Sequence, residues 1–515
     1  MPTHYPSQRK DSFDILQELV RVVTPQKLQK AKPIFFYDKK QKIRLLYDGL
    51  RLRKWNTDAD ASHEIYGKKV KNGTFSKLKS DLGEKLLSDV LLINLGDSEI
   101  NESKKAFKDC LLRYHTAILL YRFTPYHKTP NVILEKIFPK CLRYEFTELI
   151  IGISEILSWK YKLVNDVKKG AYYEEILLSY LRIQNCECKG KIFLGNIYAQ
   201  YARTRSFLPG IALQVTTYLD QLGDHELPFQ TQKMVYFRKM LEVIFEMSMF
   251  NYRKTAELCE QSIAFFENRS FFMPSHVRSF YFQAVASYTY LRETEKGYQL
   301  LDKCHKLLVG KGSTNWFKLQ ELKVVLAFYG KDYGTALQVF SETTCNERFN
   351  KQTSQVQEYW KLVEAKLYIL HASGKINSNG HSFQIRFSSL SNSVPLLIRD
   401  KKGLNFALHL IRFFMLLEKR SERSQSNFVD HLDSLGSYVN RYCREQNMHR
   451  SRWIYQLLVQ ISRNRFEKKL VLACPETKLL LQQLEITPYD ITDANLDIEI
   501  IPFDHFFLLL CEKLQ

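Results

Sequence analysis

Glycine and proline are scarce, with 20 and 14 in 515 residues, about 4% and 3% against typical usage of about 7% and 5%. So few turn-formers exclude a many-stranded all-β architecture and favour long helices. No apolar run reaches the roughly 18 residues that would read as a spanning helix, so no membrane partner is expected. Arg9, Lys10, Asp11, Asp14 and Glu18 stand where a secretory leader needs an apolar stretch, and a cytosolic protein is expected. Ten cysteines are scattered along the chain, which is no disulfide framework at this length and points to reduced, buried thiols. GxGxxG, GxxxxGK[ST], HExxH and GxSxG patterns do not occur. No enzyme, cofactor or metal is therefore expected.

What is present is charge and apolar content. Hydrophobic residues make up 45%, aromatic residues 13% and charged residues 25%, the balance of a folded chain. The formal net charge is +20. Residues 475–515 hold only Lys478 and Lys513 against eight acidic residues, so the rest is more basic still. Such a surplus attracts anionic partners.

Residues 1–12 read as a frayed polar tail, followed by a basic helical domain over 13–95. Ile15, Leu16, Leu19, Val20 and Val23 form one apolar stripe, and Ile43, Leu46, Tyr47 and Leu50 another. Thr57-Asp58-Ala59-Asp60 has a capping-box pattern opening a helix to about Tyr66. A basic turn follows from Gly67 to Gly73, then a helix with Phe75, Leu78, Leu82, Leu86, Val90 and Ile93 on one face. Gly96 to Ser103 reads as a linker. Residues 104–372 read as TPR-like helical repeats, with breaks near Pro125/Pro130, Pro139 and Pro209/Gly210. Residues 373–393 read as a polar loop, and 394–515 as further helical repeats with an acidic cap. Its end is expected to be a short extended piece and a terminal helix.

The repeat is visible when Tyr252, Thr294 and Tyr333 are aligned. Three residues later stand Thr255, Gly297 and Ala336, all small. Six later stand Leu258, Leu300 and Val339, and seven later Cys259, Leu301 and Phe340. Seventeen earlier stand Val235, Val277 and Trp316. A period near 40 built from two helices suits an all-α solenoid of helix pairs, in which each pair buries its face only against the next. Gly330-Lys331-Asp332-Tyr333-Gly334-Thr335-Ala336 resembles the second-helix opening of a tetratricopeptide repeat (TPR), and Trp316 falls where that family favours a large aromatic.

The whole chain also resembles a family of uncharacterised bacterial helical-repeat proteins. The resemblance rests on Phe75-Ser-Lys-Leu-Lys-Ser-Asp-Leu82 with Glu84-Lys85-Leu86-Leu87, on Val394-Pro395 with Asp400-Lys401-Lys402-Gly403-Leu404-Asn405, and on Glu499-Ile-Ile-Pro502-Phe503. It implies one architecture from end to end and carries no activity.

Three segments are candidate sites. Thr57 to Ile93 resembles a helix-turn-helix, in which Ser76, Lys77, Lys79 and Ser80 would meet base edges and Lys68, Lys69 and Lys71 phosphates. Its seven-residue turn is longer than the usual three or four, and an ordinary helical hairpin with a basic face is the simpler alternative. Residues 441–469 interleave Arg441, Arg444, Arg450 and Arg452 with Tyr442, Trp453 and Tyr455, a composition suited to single strands. Trp453, Leu457 and Ile461 equally fit a core stripe. Cys186-Glu-Cys188 has too few ligands nearby for zinc. The leading expectation is a cytosolic scaffold that binds an acidic protein or peptide in a concave surface of its repeats. The alternative is a nucleic-acid-associated protein, a DNA-binding regulator or an RNA or ribosome binder.

Overall fold

The structure is a computed structural model that describes residues 41–55, 57–67, 72–90, 102–123, 128–204, 210–223, 229–269, 271, 273–308, 310–377, 383, 385–394, 404–419, 421–443, 449–487 and 499–514. Among these the chain forms 22 α-helices, one 3-10 turn and no strand. The all-α class is as expected. The chain divides into two compact units, 1–170 and 171–515, so the expected boundary at 95–104 falls inside the first.

The first unit contains α1 (Lys42–Arg51), α2 (Asp58–Tyr66), α3 (Asn72–Val90), α4 (Glu102–Phe123), α5 (Lys128–Arg143) and α6 (Thr147–Leu163). Helix α7 (Val167–Thr204) begins in it and runs on into the second. Helices α1 to α3 enclose a small core of Leu46, Tyr47, Leu50, Trp55, Ala61, Phe75, Leu82 and Leu86. The cap at Thr57 forms as expected: its Oγ1 accepts the Asp60 N–H at 3.3 Å and donates to Asp60 Oδ2 at 2.7 Å. Helix α3 starts at Asn72, two residues before the expected opening at Thr74. Pro130 and Pro139 lie inside α5 and do not break it. Pro130 sits in the first turn, where its missing N–H costs nothing, and Pro139 forgoes one ladder bond in a helix anchored by buried Leu134, Ile137 and Phe138. The stripe at 15–23, Ile93 and most of the expected linker lie outside the described residues; Glu102 and Ser103 belong to α4.

The second unit continues with α8 (Ile211–Leu222), α9 (Gln232–Ser248), α10 (Tyr252–Glu267), α11 (Pro274–Tyr290), α12 (Thr294–Lys306), α13 (Thr314–Tyr329), α14 (Tyr333–Thr344) and α15 (Ser354–Ala372). Then come α16 (Phe387–Ser393), α17 (Leu404–Glu418), α18 (Glu422–Tyr442), α19 (His449–Arg463), α20 (Lys468–Ala473), α21 (Pro475–Ile486) and α22 (Phe503–Cys511). Helix α16 falls within the expected polar loop, where Phe387 and Leu390 supply an apolar side; Leu390 is buried.

The aligned residues mark equivalent places in three successive pairs. Tyr252, Thr294 and Tyr333 each open the second helix, and Val235, Val277 and Trp316 lie in the first turn of the first. Each pair is joined by the same turn. Phe250, Arg292 and Lys331 adopt left-handed φ of 59°, 57° and 56°. The following N–H reaches back five residues, from Asn251 to Glu246 O, Glu293 to Tyr288 O and Asp332 to Ala327 O, at 2.9–3.0 Å. This is the Schellman closure, which satisfies carbonyls at the helix end and repays the strain of a non-glycine residue in that region. Glu145 and Asn165 make it in the first unit. Gly374 makes it after α15, 43 residues beyond Lys331. Helix α11 packs on both α9 and α13.

The small positions serve close approach. Thr255, Gly297 and Ala336 are buried, and a Cβ on Gly297 would stand 2.8 Å from Leu326 Cδ1 on α13. Gly297→Ala is expected to cost about 1–3 kcal/mol by overpacking, read as a lower urea midpoint; an unchanged midpoint would show that Leu326 gives way freely. Leu300 and Phe340 are buried, Val235, Leu258 and Tyr333 half-buried.

Candidate interaction surface

The nucleic-acid candidates are dispersed by the fold. On α3, Ser76, Lys77 and Ser80 are exposed. Lys79 is not: it is buried and its Nζ is held by Asp58 Oδ2 of α2. It faces inward because it lies one turn beyond Phe75 on the core side of α3. Lys68, Lys69 and Lys71 lie outside the described residues. Beside this bundle, hydrogen bonds from Trp55 Nε1 at 2.6 Å and from Lys54 at 3.3 Å hold the Glu64 carboxyl below the usual carboxylate range.

Of the arginine group, Arg441 is exposed and leans over the adjacent Tyr442 ring. Arg452 is half-buried with Nη2 at 2.8 Å from His449 Nδ1. Arg444 lies outside the described residues. Arg450 has no exposed surface and is committed to Glu499, so it cannot reach a phosphate. Leu457 and Ile461 are buried and Trp453 is half-buried, the core stripe rather than a stacking platform. Cys186 is buried and donates to Leu222 O at 3.1 Å, while Cys188 is exposed on the other side of α7. Among the described residues, no three His, Cys, Asp or Glu come together as metal ligands, and no helix is long and apolar enough to cross a membrane.

Two of the first helices are closed over their C-terminal halves. In α13, residues 324–329 are buried consecutively; in α11, residues 284–290 are. A stretch buried all round has no face left for a ligand. Across the C-terminal ends of these helices lies α22. Asp504 pairs with Arg292 at 2.8 Å, Phe506 lies under Lys366, and Lys513, just beyond α22, donates to Ala372 O at 2.6 Å. Burial pushes the Asp504 carboxyl up, but Arg292 outweighs it and leaves it below its ordinary value.

An accessible apolar surface lies instead at the corner between α6 and α7. The buried stripe of α6 is Leu149, Ile150, Ile153 and Leu157. Trp159 and Leu163 fall off that stripe, one turn apart, and are 64% and 63% exposed. Val164 and Val167 are exposed beside them. The corner is rigidly built. Asn165 takes the left-handed conformation, and the Asp166 N–H closes on Tyr161 O at 2.9 Å. Asp166 Oδ1 accepts the Lys169 N–H at 3.2 Å, and the Tyr161 hydroxyl donates to Glu135 at 2.5 Å. Burial, with Glu135 nearby, pushes the Tyr121 hydroxyl up to about 12, so it stays neutral. Lysines are interleaved: Lys160 stands over Tyr121, Lys169 over Tyr161, and Lys162 and Lys168 are exposed. Sequence reasoning missed this corner. Its signal was an aromatic and three aliphatic residues out of phase with the core stripe and alternating with lysines.

Comparison of the chain with protein-family models, with curated proteins and with solved structures finds no match.

Proposed function

We propose that the chain is a non-catalytic interaction scaffold. In this reading its helix pairs form a TPR-like stack, and the α6–α7 corner receives an acidic protein or peptide. One observation carries it: Trp159, Leu163, Val164 and Val167 are exposed together on a braced turn, among lysines. A large aromatic with aliphatic neighbours is the composition of a binding hot spot, and the lysines would set the sign of the partner. The resemblance to bacterial helical-repeat proteins agrees with such a role and adds no partner. This reading puts the binding face at the corner rather than on the expected concave surface, because the apolar side chains there are exposed whereas residues 284–290 and 324–329 are buried.

The test is capture of partners from a lysate of the source cells on immobilised full-length chain, with nuclease, at 0.15 and 0.5 M salt. Trp159→Glu with Leu163→Glu should reduce the retained partner at least about tenfold, since each hot-spot side chain is worth about 1–3 kcal/mol. Retention that survives the double substitution would remove the corner as the site. Loss of all retained material on nuclease treatment would instead support the nucleic-acid reading. That reading is favoured only by the exposed Ser76, Lys77 and Ser80 face of α3, and Lys77→Glu should then weaken binding and its salt dependence.

A further inference from the structure

Helix α7 has 38 residues, a length of about 57 Å, and two different long sides. One side is packed within the second unit. Ile183, Leu194 and Ile197 are buried, Phe193 stacks on Tyr218 at 4.2 Å, and Gly190 brings the backbone against Phe237. The opposite side carries Leu178, Leu181, Asn185, Cys188, Ile192 and Gly195, all exposed. Leu178, Leu181 and Ile192 keep 54%, 44% and 58% of their surface in solvent.

The spacing of these six is three, four, three, four, three. That is the 3.5-residue period of a coiled-coil seam, three successive a/d pairs between Leu178 and Gly195. A helix that only needed to face water has no reason to keep leucine and isoleucine at that period. We infer that α7 pairs in parallel with α7 of a second copy of this chain, with Leu178, Asn185 and Ile192 at the a positions and Leu181, Cys188 and Gly195 at d.

The occupant follows from the polar layer and the flanking charges. A single asparagine at an a position is satisfied by the same asparagine of an identical, in-register helix, and it fixes a two-stranded register. A partner with an apolar residue there would bury the Asn185 amide without its bonds. In the parallel register, each seam residue meets its own copy, and the flanking g–e pairs are Gln184 with Lys189 and Lys191 with Asn196, so no like charges are opposed. Running the helices antiparallel over the same seam would set Asn185 against Cys188 instead of its own copy and Arg182 against Lys189. The pair is isologous and closes as a two-fold dimer. It does not depend on the scaffold reading or on the α6–α7 corner.

The test uses the full chain in reducing buffer, sized by light scattering. The expected mass is twice 60.8 kDa, falling by half in Leu181→Glu with Ile192→Glu. Both side chains are exposed, so the double variant should keep the wild-type circular dichroism and melting temperature, which separates loss of pairing from loss of fold. Diamide is then added without thiol. It takes two electrons and two protons from the facing Cys188 thiols, becomes the hydrazine, and leaves one S–S bond across the dimer. The linked band should be absent in Cys188→Ser. A monomer at about 50 µM, or a dimer that survives the double substitution, would overturn the inference. A dimer lost in the double variant but never linked through Cys188 would overturn the parallel register.

Discussion

Replacing Glu499 by glutamine is expected to destabilise the second unit by about 3–5 kcal/mol, the usual cost of removing one partner from a buried ion pair. Arg450 and Glu499 have no exposed side-chain surface. The guanidinium grips the carboxylate with Nε at 2.5 Å and Nη2 at 2.9 Å, and its Nη1 donates to the carbonyls of Leu484 and Thr487. Glu499 Oε2 also accepts the Phe503 N–H at 3.0 Å, where α22 opens. One pair of side chains therefore ties α19, the end of α21 and the start of α22. Glutamine keeps the shape but leaves the guanidinium buried without a counter-charge. Arg450→Lys keeps the charge and loses the fork, so it should fall between wild type and Glu499→Gln. Arg450→Met with Glu499→Leu removes both charges and should recover part of the loss, because two apolar side chains need no solvation while the Leu484 and Thr487 carbonyls and the Phe503 N–H lose these partners. The measurement is the urea midpoint of each variant by circular dichroism. A Glu499→Gln variant within about 1 kcal/mol of wild type would show that the pair is not a structural tie.

That pair also shows where sequence reading stops. The periodic features were readable because they are local. The Thr57 cap, the Phe75–Leu82–Leu86 stripe and the roughly 40-residue spacing of Tyr252, Thr294 and Tyr333 depend on neighbours within one or two helices, and each marks a helix start or a buried face. Lys79 reads from the sequence as a base-edge contact and Arg450 as a contact to a single strand, because a basic residue on a helix looks solvent-facing. Their partners, Asp58 and Glu499, stand 21 and 49 residues away, and a one-dimensional pattern holds no record of that pairing. The turn at Gly374 repeats that at Lys331 but does not stand out in the sequence, because the alignment rests on second-helix openings and none follows directly at the described residues 375–377. The interaction candidates were hidden for a related reason. Trp159 and Leu178 look like core residues until the buried stripes of α6 and α7 are known, and only then are they out of phase.

Stability of the second unit is expected to fall steeply as pH drops from about 6.5 towards 4. Three histidines there are held neutral by their surroundings, each at about 4. For His276 the cause is burial, then Lys233; it stacks on Tyr236 at 4.2 Å. For His431 it is burial, then Arg412 and His409, with Phe413 packed on the ring. For His505 burial also leads, opposed by Asp504 and reinforced by Lys331 and Arg292. In the unfolded chain each takes up a proton near pH 6.5. The unfolded state therefore binds more protons throughout this window, and stability rises with pH across it. It is fully present above about 6.5 and drains as pH falls, at about 1.4 kcal/mol per pH unit for each histidine and about 4 for all three. The carboxyl of Glu293, held at about 2 chiefly by Arg253 and then by Lys296, adds its own loss only below about pH 4.5. The two sources are thus separable by pH. Urea midpoints at pH 7, 6 and 5 should decline progressively. His431→Phe, which sets an aromatic ring against Phe413 and His409 without a site for the proton, should remove about a third of the slope. A midpoint unchanged between pH 7 and 5 would mean that these rings gain protons in the folded chain as readily as in the unfolded one, and that their burial opens at little cost.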